Sequence, residues 1–580
     1  MTSLLRLAVR PVLPVAALLL LSLPAFASTA ATFEGPSGYG NYLAGQEALR
    51  DLSTSDAARY FQDATITEWN NPAVVTNAFL ADLANGDIDR AVSLADHLLD
   101  LKPDFTLAKL VIATSELKDR RYHAVEKELA GIGADDFSGI GSNVLSAWAL
   151  IGDDRRDDAF AALDKISSGG LQDFLVFHRA LMADVAGDTA DAVSLAGKAY
   201  QASPTGSRIV DAYARILGNA GRFDDALAVL DKFDAQGLGD PGIDALRKTL
   251  AAREKPGMLA PSVQSGAAKM FHGLAVALAR DGSNDLALGL LQLGMYLDPH
   301  DDVIPLLVGQ ILDAANQHAA ANRYYANIPQ NSPLRLVAAV RIAQNFEAMG
   351  NRPEAVKQLT NLVAANPTDL DALTVLAETQ RVGKQYDDAA KSYTQALNLD
   401  KTGKPGNWVL YYERGIAYER GGKWDLAQPD FLKALQLNPD QPQVLNYLGY
   451  TWVDKGENLD QALGMIQKAV KATPNDGFIV DSLGWAFYKL NRIDEAVSTL
   501  EQAVQLKPND PQINDHLGDA YWQAGRKLEA HFQWNVASSL DTDGSLKVEL
   551  ARKQANGLGP APGTTASTAT PVAPSATTTQ

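Results

Sequence analysis

The chain has 580 residues, 46% of them hydrophobic, a formal net charge of −18 and no cysteine. The missing cysteine excludes disulfides, thiolate metal sites, cysteine nucleophiles and a lipid on an amino-terminal cysteine. The acidity argues against a nucleic-acid partner, which requires a basic, phosphate-neutralising surface.

The amino terminus reads as an export signal over residues 1–27. Arg6 and Arg10 precede a short apolar run, 12–23, and Ala25-Phe26-Ala27 forms a small-x-small cleavage site. Cleavage there predicts Ser28 as the mature start and a periplasmic location. The alternative is an uncleaved membrane anchor, for which the run is short. Residues 28–37 form a small, flexible lead-in.

A repeat begins near position 38, and its clearest copy is 477–510. Numbering that copy from Gly477, small residues stand at positions 8 (Gly484), 20 (Ala496) and 27 (Ala503), and Pro508 at 32. Two antiparallel helices approach closely only where side chains are small, with larger neighbours filling the space beside them. Asp494 and Glu495 place negative charge at the start of the second helix, where its dipole favours it, and Pro508 stops that helix. Aligned on position 20, an amino-terminal array spans 38–240 with about six repeats, starting near 38, 72, 105, 140, 173 and 207. Its marker residues are Ala57, Ala91, Ala124, Ala159, Ala192 and Ala226. Their spacings are 34, 33, 35, 33 and 34, and the second and third repeats, with Phe79 and Ile112 at position 8, are degenerate.

The register breaks over 241–267. Lys255-Pro256-Gly257 and Ala260-Pro261 end a short helix there, and the segment reads as an irregular connector inserted between two half-arrays. A second array of about eight repeats covers 268–544. Its markers are Ala287, Ala321, Ala355, Ala389, Ala427, Ala462, Ala496 and Ala530, with a loop insertion at 402–407 and a lengthened turn at Glu457-Asn458. Residues 545–556 read as an amphipathic helix that caps the last apolar surface. Residues 557–580, rich in Thr, Ala, Pro and Ser, cannot bury a core and are expected to be disordered.

Chemical motifs are few. Gly237, Gly239 and Gly242 spell a dinucleotide-binding pattern with no preceding strand, and Asp541 to Gly544 begins a calcium loop without its later ligands. Eight histidines are scattered singly. The reading is therefore of no catalytic residues, no metal and no cofactor.

The period of about 34 residues over 38–544 resembles the tetratricopeptide-repeat family. The resemblance implies an all-α fold, a right-handed superhelical α-solenoid of about 14 helix-turn-helix repeats in two half-arrays. It also implies a concave face lined by first helices through positions 2, 5, 9, 12 and 13. In the last four repeats those positions include Tyr412, Asn446, Tyr450, Phe478, Asp481, Trp485, Tyr488, Asp515, Asp519 and Trp522, a set suited to gripping a protein or peptide. The competing reading is that these rings pack against the next repeat. Residues 445–504 resemble more closely the carboxy-terminal part of exported bacterial tetratricopeptide proteins, some of them outer-membrane lipoproteins that serve as adaptors for a periplasmic processing protease. This chain has no lipobox cysteine, so membrane association would be peripheral. The function expected is a non-enzymatic periplasmic scaffold whose partner is an envelope protease or assembly factor. The alternative is a cell-envelope glycan binder in which Trp485 and Trp522 stack on sugar rings.

Overall fold

The computed structural model describes residues 37–134, 136–166, 171–399 and 405–558. The signal with Ala25, Ala27 and Ser28, nearly all of the lead-in, the first half of the 402–407 loop and the tail after 558 lie outside the described residues. Among the described residues there are thirty α-helices and no strand, and the chain divides into two compact units between Asn351 and Arg352.

The first unit holds α1 (Gly38–Arg50), α2 (Thr54–Thr67), α3 (Pro72–Asn85), α4 (Ile88–Leu101), α5 (Thr106–Lys118), α6 (Tyr122–Glu128), α7 (Phe137–Gly152), α8 (Arg156–Asp164), α9 (Gln172–Val185), α10 (Thr189–Ala202), α11 (Ser207–Asn219), α12 (Phe223–Asp234), α13 (Pro241–Ala251), α14 (Val263–Arg280), α15 (Asn284–Leu297), α16 (Val303–Ala314), α17 (His318–Ala326) and α18 (Arg335–Ala348). The second holds α19 (Arg352–Ala365), α20 (Leu370–Val382), α21 (Tyr386–Leu399), α22 (Trp408–Arg420), α23 (Trp424–Leu437), α24 (Pro442–Lys455), α25 (Leu459–Ala472), α26 (Gly477–Lys489), α27 (Ile493–Leu506), α28 (Pro511–Gln523), α29 (Lys527–Leu540) and α30 (Lys547–Asn556).

The repeat has a simple physical rule. A glycine at position 8 of the first helix receives the large side chain at position 24 of the second. A Cβ on Gly484 would lie 2.5 Å from Leu500, one on Gly518 2.5 Å from Trp534, and one on Gly309 2.3 Å from Tyr325. Beside this contact the position-20 alanines are sealed: thirteen of the fourteen have no exposed surface. The exception is Ala124, which is half-buried while Val125 takes the sealed place. Counting from Val125 restores an even spacing to Ala91 and Ala159, so the apparent irregularity came from a valine standing where alanine was sought.

Two differences from the sequence reading concern the join. The segment 241–267 is not a free insertion. Helix α13 begins one repeat length after α11, and Arg253 beyond its end takes the left-handed conformation (φ 58°) that also marks turns between first and second helices, as at Asn491. It is the first helix of a seventh repeat whose second helix is absent, and Leu250 and Pro256 pack on Gly218 of α11. The compact units, moreover, divide inside a repeat, between α18 and α19, rather than at 241–267.

The reason lies in α14 and α15. These two helices turn back onto α3, α5, α7 and α9, the first helices of repeats two to five. Glycines permit the approach. A Cβ on Gly266 would stand 2.1 Å from Trp148, one on Gly273 2.8 Å from Phe174, and one on Gly289 3.0 Å from Leu83. Side-chain bonds stitch the pair in place: Gln264 donates to the Leu117 carbonyl at 2.9 Å, Lys118 to the Tyr296 carbonyl at 2.5 Å, and Gln292 to the Ala84 carbonyl at 3.2 Å. From 263 to 272 every residue of α14 is buried, the polar Gln264, Lys269 and His272 among them. The face that the resemblance assigns to a partner is, in this unit, covered by the chain itself.

Candidate functional site: the first-helix face of the second unit

In the second unit, first helices α20, α22, α24, α26 and α28 follow one another, and at position 5 Tyr412, Asp481 and Asp515 each meet the next helix of the row. Tyr412 packs edge-on against Tyr447 at 6.0 Å and against Phe431 of its own repeat at 6.1 Å. Asn446 is buried with no partner for its Oδ1. Asp481 accepts from His516 Nδ1 at 2.9 and 3.0 Å, and His516 Nε2 meets the Gln512 amide at 2.8 Å. Asp515 accepts from Lys553 of α30 at 2.8 Å.

Position 9 behaves alike. Tyr450 is buried, and burial, with Asp481 nearby, pushes its hydroxyl pKa up. Trp485 is half-buried and stacked between Tyr488, at 4.8 Å, and His516, at 4.1 Å. Asp519 accepts from Lys553 at 2.8 Å and from Trp534 Nε1 at 3.0 Å. At position 12, Tyr488 is buried, and Trp522 is half-buried against Trp534, with the chain at Gly557 lying on its ring. Phe478, at position 2, is half-buried under the Lys507 ammonium.

The electrostatics follow from burial. Burial opposes protonation of His516, but Asp481, with Asp515 and Asp519 nearby, outweighs it and raises the pKa. Burial and then the Asp515 charge push Asp519 up to about 6, against the pull of Lys553. Lys553 itself is held charged because the two carboxylates outweigh its burial.

The structure thus buries seven of the ten sequence-selected residues, most of them in joints between successive helices of this row. It leaves Phe478, Trp485 and Trp522 partly open. Sequence reasoning missed Lys553 and His516, which complete the acidic positions. The available signal was a buried-position acid that demands a cation one helix further on. Among the described residues, one group has metal-ligand spacing, His123, Glu126 and Asp153, at the surface of the first unit, where Glu126 is also held by Arg155 at 3.0 Å. None of the described helices is long and apolar enough to cross a membrane.

Family models for the tetratricopeptide repeat match residues 186–250, 340–406, 412–477 and 484–525. The TPR repeat-containing protein PA4667 of Pseudomonas aeruginosa is 26% identical over 196 residues, which is 32% of this chain and 31% of that protein. The chain therefore spans less than a third of the length of this curated relative. Among solved structures, Cut9–Hcn1 of the APC/C aligns over 90% of this chain and 96% of its own, at 15% identity and a TM-score of 0.37. YrrB, described as a TPR protein with an unusual peptide-binding site, aligns over 33% and 97%, at 21% identity and a TM-score of 0.26. With its period, its helical hairpins and the family matches in agreement, the chain belongs to the tetratricopeptide-repeat family.

Proposed function

We propose that this protein is a non-enzymatic scaffold of the bacterial periplasm that holds a protein or peptide partner on the first-helix face of its second unit. Tetratricopeptide repeats serve as protein-interaction scaffolds and are generally non-catalytic. The observation that carries the choice of unit is the covering of the first unit's first-helix face by α14 and α15. In the second unit the half-exposed rings of Phe478, Trp485 and Trp522 remain on that face, and such rings supply contact area with few rotamers to freeze. Export rests on Arg6, Arg10, the apolar run and Ala25-Phe26-Ala27. An envelope protease or assembly factor is the partner class that the closer resemblance of 445–504 favours.

The test has two parts. Amino-terminal sequencing of the mature protein should begin at Ser28; retention of Arg6 and Arg10 in a membrane fraction would instead mean an anchor. Partner capture from the native envelope, repeated with Phe478→Ala/Trp485→Ala, should weaken binding by roughly thirtyfold or more, at about 2 kcal/mol for a hot-spot ring, with circular dichroism unchanged. Equal capture by the variant would move the site away from this face. Retention on peptidoglycan in place of protein would favour the glycan alternative.

A further inference from the structure

At the junction of α9, α11 and α14 the first unit buries two histidines that no carboxylate partners. His178 of α9 is fully buried, and neither ring nitrogen has a hydrogen-bond partner. Around it stand the rings of Phe174 at 4.5 Å, Phe177 at 5.5 Å and Trp148 at 6.1 Å. His272 of α14 is 3% exposed, with Nδ1 unpartnered.

The charged groups around this junction come from α11, from α14 and from the segments just ahead of α13 and α16. From α11, Arg208 donates to the Lys269 carbonyl at 3.0 Å, and its guanidinium lies 5.6 Å from the Phe177 ring centre. Also from α11, Asp211 is held by Arg215 at 2.8 Å. From α14, Lys269 pairs with Asp301, just ahead of α16, at 2.6 Å. Of these groups Arg208 acts on both histidines and Lys269 on His272, while Asp240 adds a third carboxylate beside Asp211. The aromatic contacts from α7 and α9 add no charge.

We propose that α14–α15 is the resident occupant of the first unit's first-helix face, and that protonation of His178 and His272 releases it. The inference is independent of what the second unit binds. Each proton added in the docked state would enter a buried site that offers no carboxylate to receive it and is opposed by Arg208 and Lys269. Burial, reinforced by Arg208, lowers the His178 pKa from its ordinary 6.5 to about 3. Burial, then Arg208 and Lys269, lower that of His272 well below 6.5. A group depressed in the docked state stabilises docking above its free value and withdraws that stability as pH falls. The window therefore opens at about 6.5 and extends down toward 3. Each histidine shifts the docked-to-undocked ratio by up to tenfold per pH unit, about thirtyfold at pH 5, and the two together by about a thousandfold.

Hydrogen exchange on the full chain from pH 7 to 4, corrected for intrinsic rates, tests this. Residues 263–297 and the facing helices α3, α5, α7 and α9 should lose protection as pH falls below 6, while α24–α29 keep theirs. His178→Phe/His272→Gln should move the transition down by at least one pH unit; should the double variant not fold, either single change must still lower it. Unchanged protection of 263–297 at pH 4, loss of protection in both units together, or a variant transition at the wild-type pH would overturn the proposal.

Discussion

Lys384 holds φ at 61° in the turn between α20 and α21, where equivalent turns use Gly422 and Gly525. A left-handed backbone strains any residue with a Cβ, and glycine relieves it at some cost in unfolded-state entropy. Lys384→Gly should therefore raise stability by about 0.5–1 kcal/mol in denaturant unfolding. Gly484 is the opposite case. Its absent Cβ leaves room for Leu500, so Gly484→Leu should cost about 1–3 kcal/mol. Hydrogen exchange should place the loosening within α24–α29, since repeats couple chiefly to neighbours. These two effects were legible to different degrees. The glycine at position 8 announces itself by spacing. A lysine at positive φ looks, in sequence, like any exposed turn residue.

Helix α30 shows how an element is held by one buried cation. Lys553 sits between Asp515 and Asp519, with Leu546 and Leu550 buried beside it. Lys553→Met should destabilise the carboxy-terminal repeats by about 3–5 kcal/mol, because two buried carboxylates lose their counter-charge. Asp515→Asn/Asp519→Asn/Lys553→Met should recover most of that loss in thermal unfolding; a triple variant as unstable as the single one would show that the charges are incidental. The cap was readable from its polar, amphipathic pattern and its place after the last repeat. Its ion triad was not, because position 5 looks the same in sequence whether it faces a partner or the next helix. Most first helices start at or close to their expected positions, since sealed alanines and terminal prolines are local signals. Helix α14 starts earlier than expected, because Ser262, directly after Pro261, caps it by accepting from the Ser265 N–H.

At the scale of the whole molecule the two units differ in how they are tied. The second is held by contacts between successive helices, whereas α14–α15 joins segments as distant in the chain as Ala84 and Gln292. That closure was invisible to a period search, which reports neighbours only. Its one sequence trace was the near-continuous apolar and small composition of 263–279. The first unit should therefore unfold as a single cooperative block. A protease site introduced into the partly exposed 254–259 segment tests the closure at neutral pH. After cleavage the two pieces should elute together in gel filtration and separate only in denaturant; separation in buffer would show that the docked pair does not hold the unit.

The same closure sets an order of events during synthesis. Trp148, Leu83 and the other apolar side chains of α3 to α9 emerge from the ribosome well before the helices that cover them. At typical elongation rates, the stretch between the end of α9 and the end of α15 takes roughly ten seconds to make. For that interval the nascent chain carries a long, uncovered apolar face, and for that interval it is a natural client for a holding chaperone.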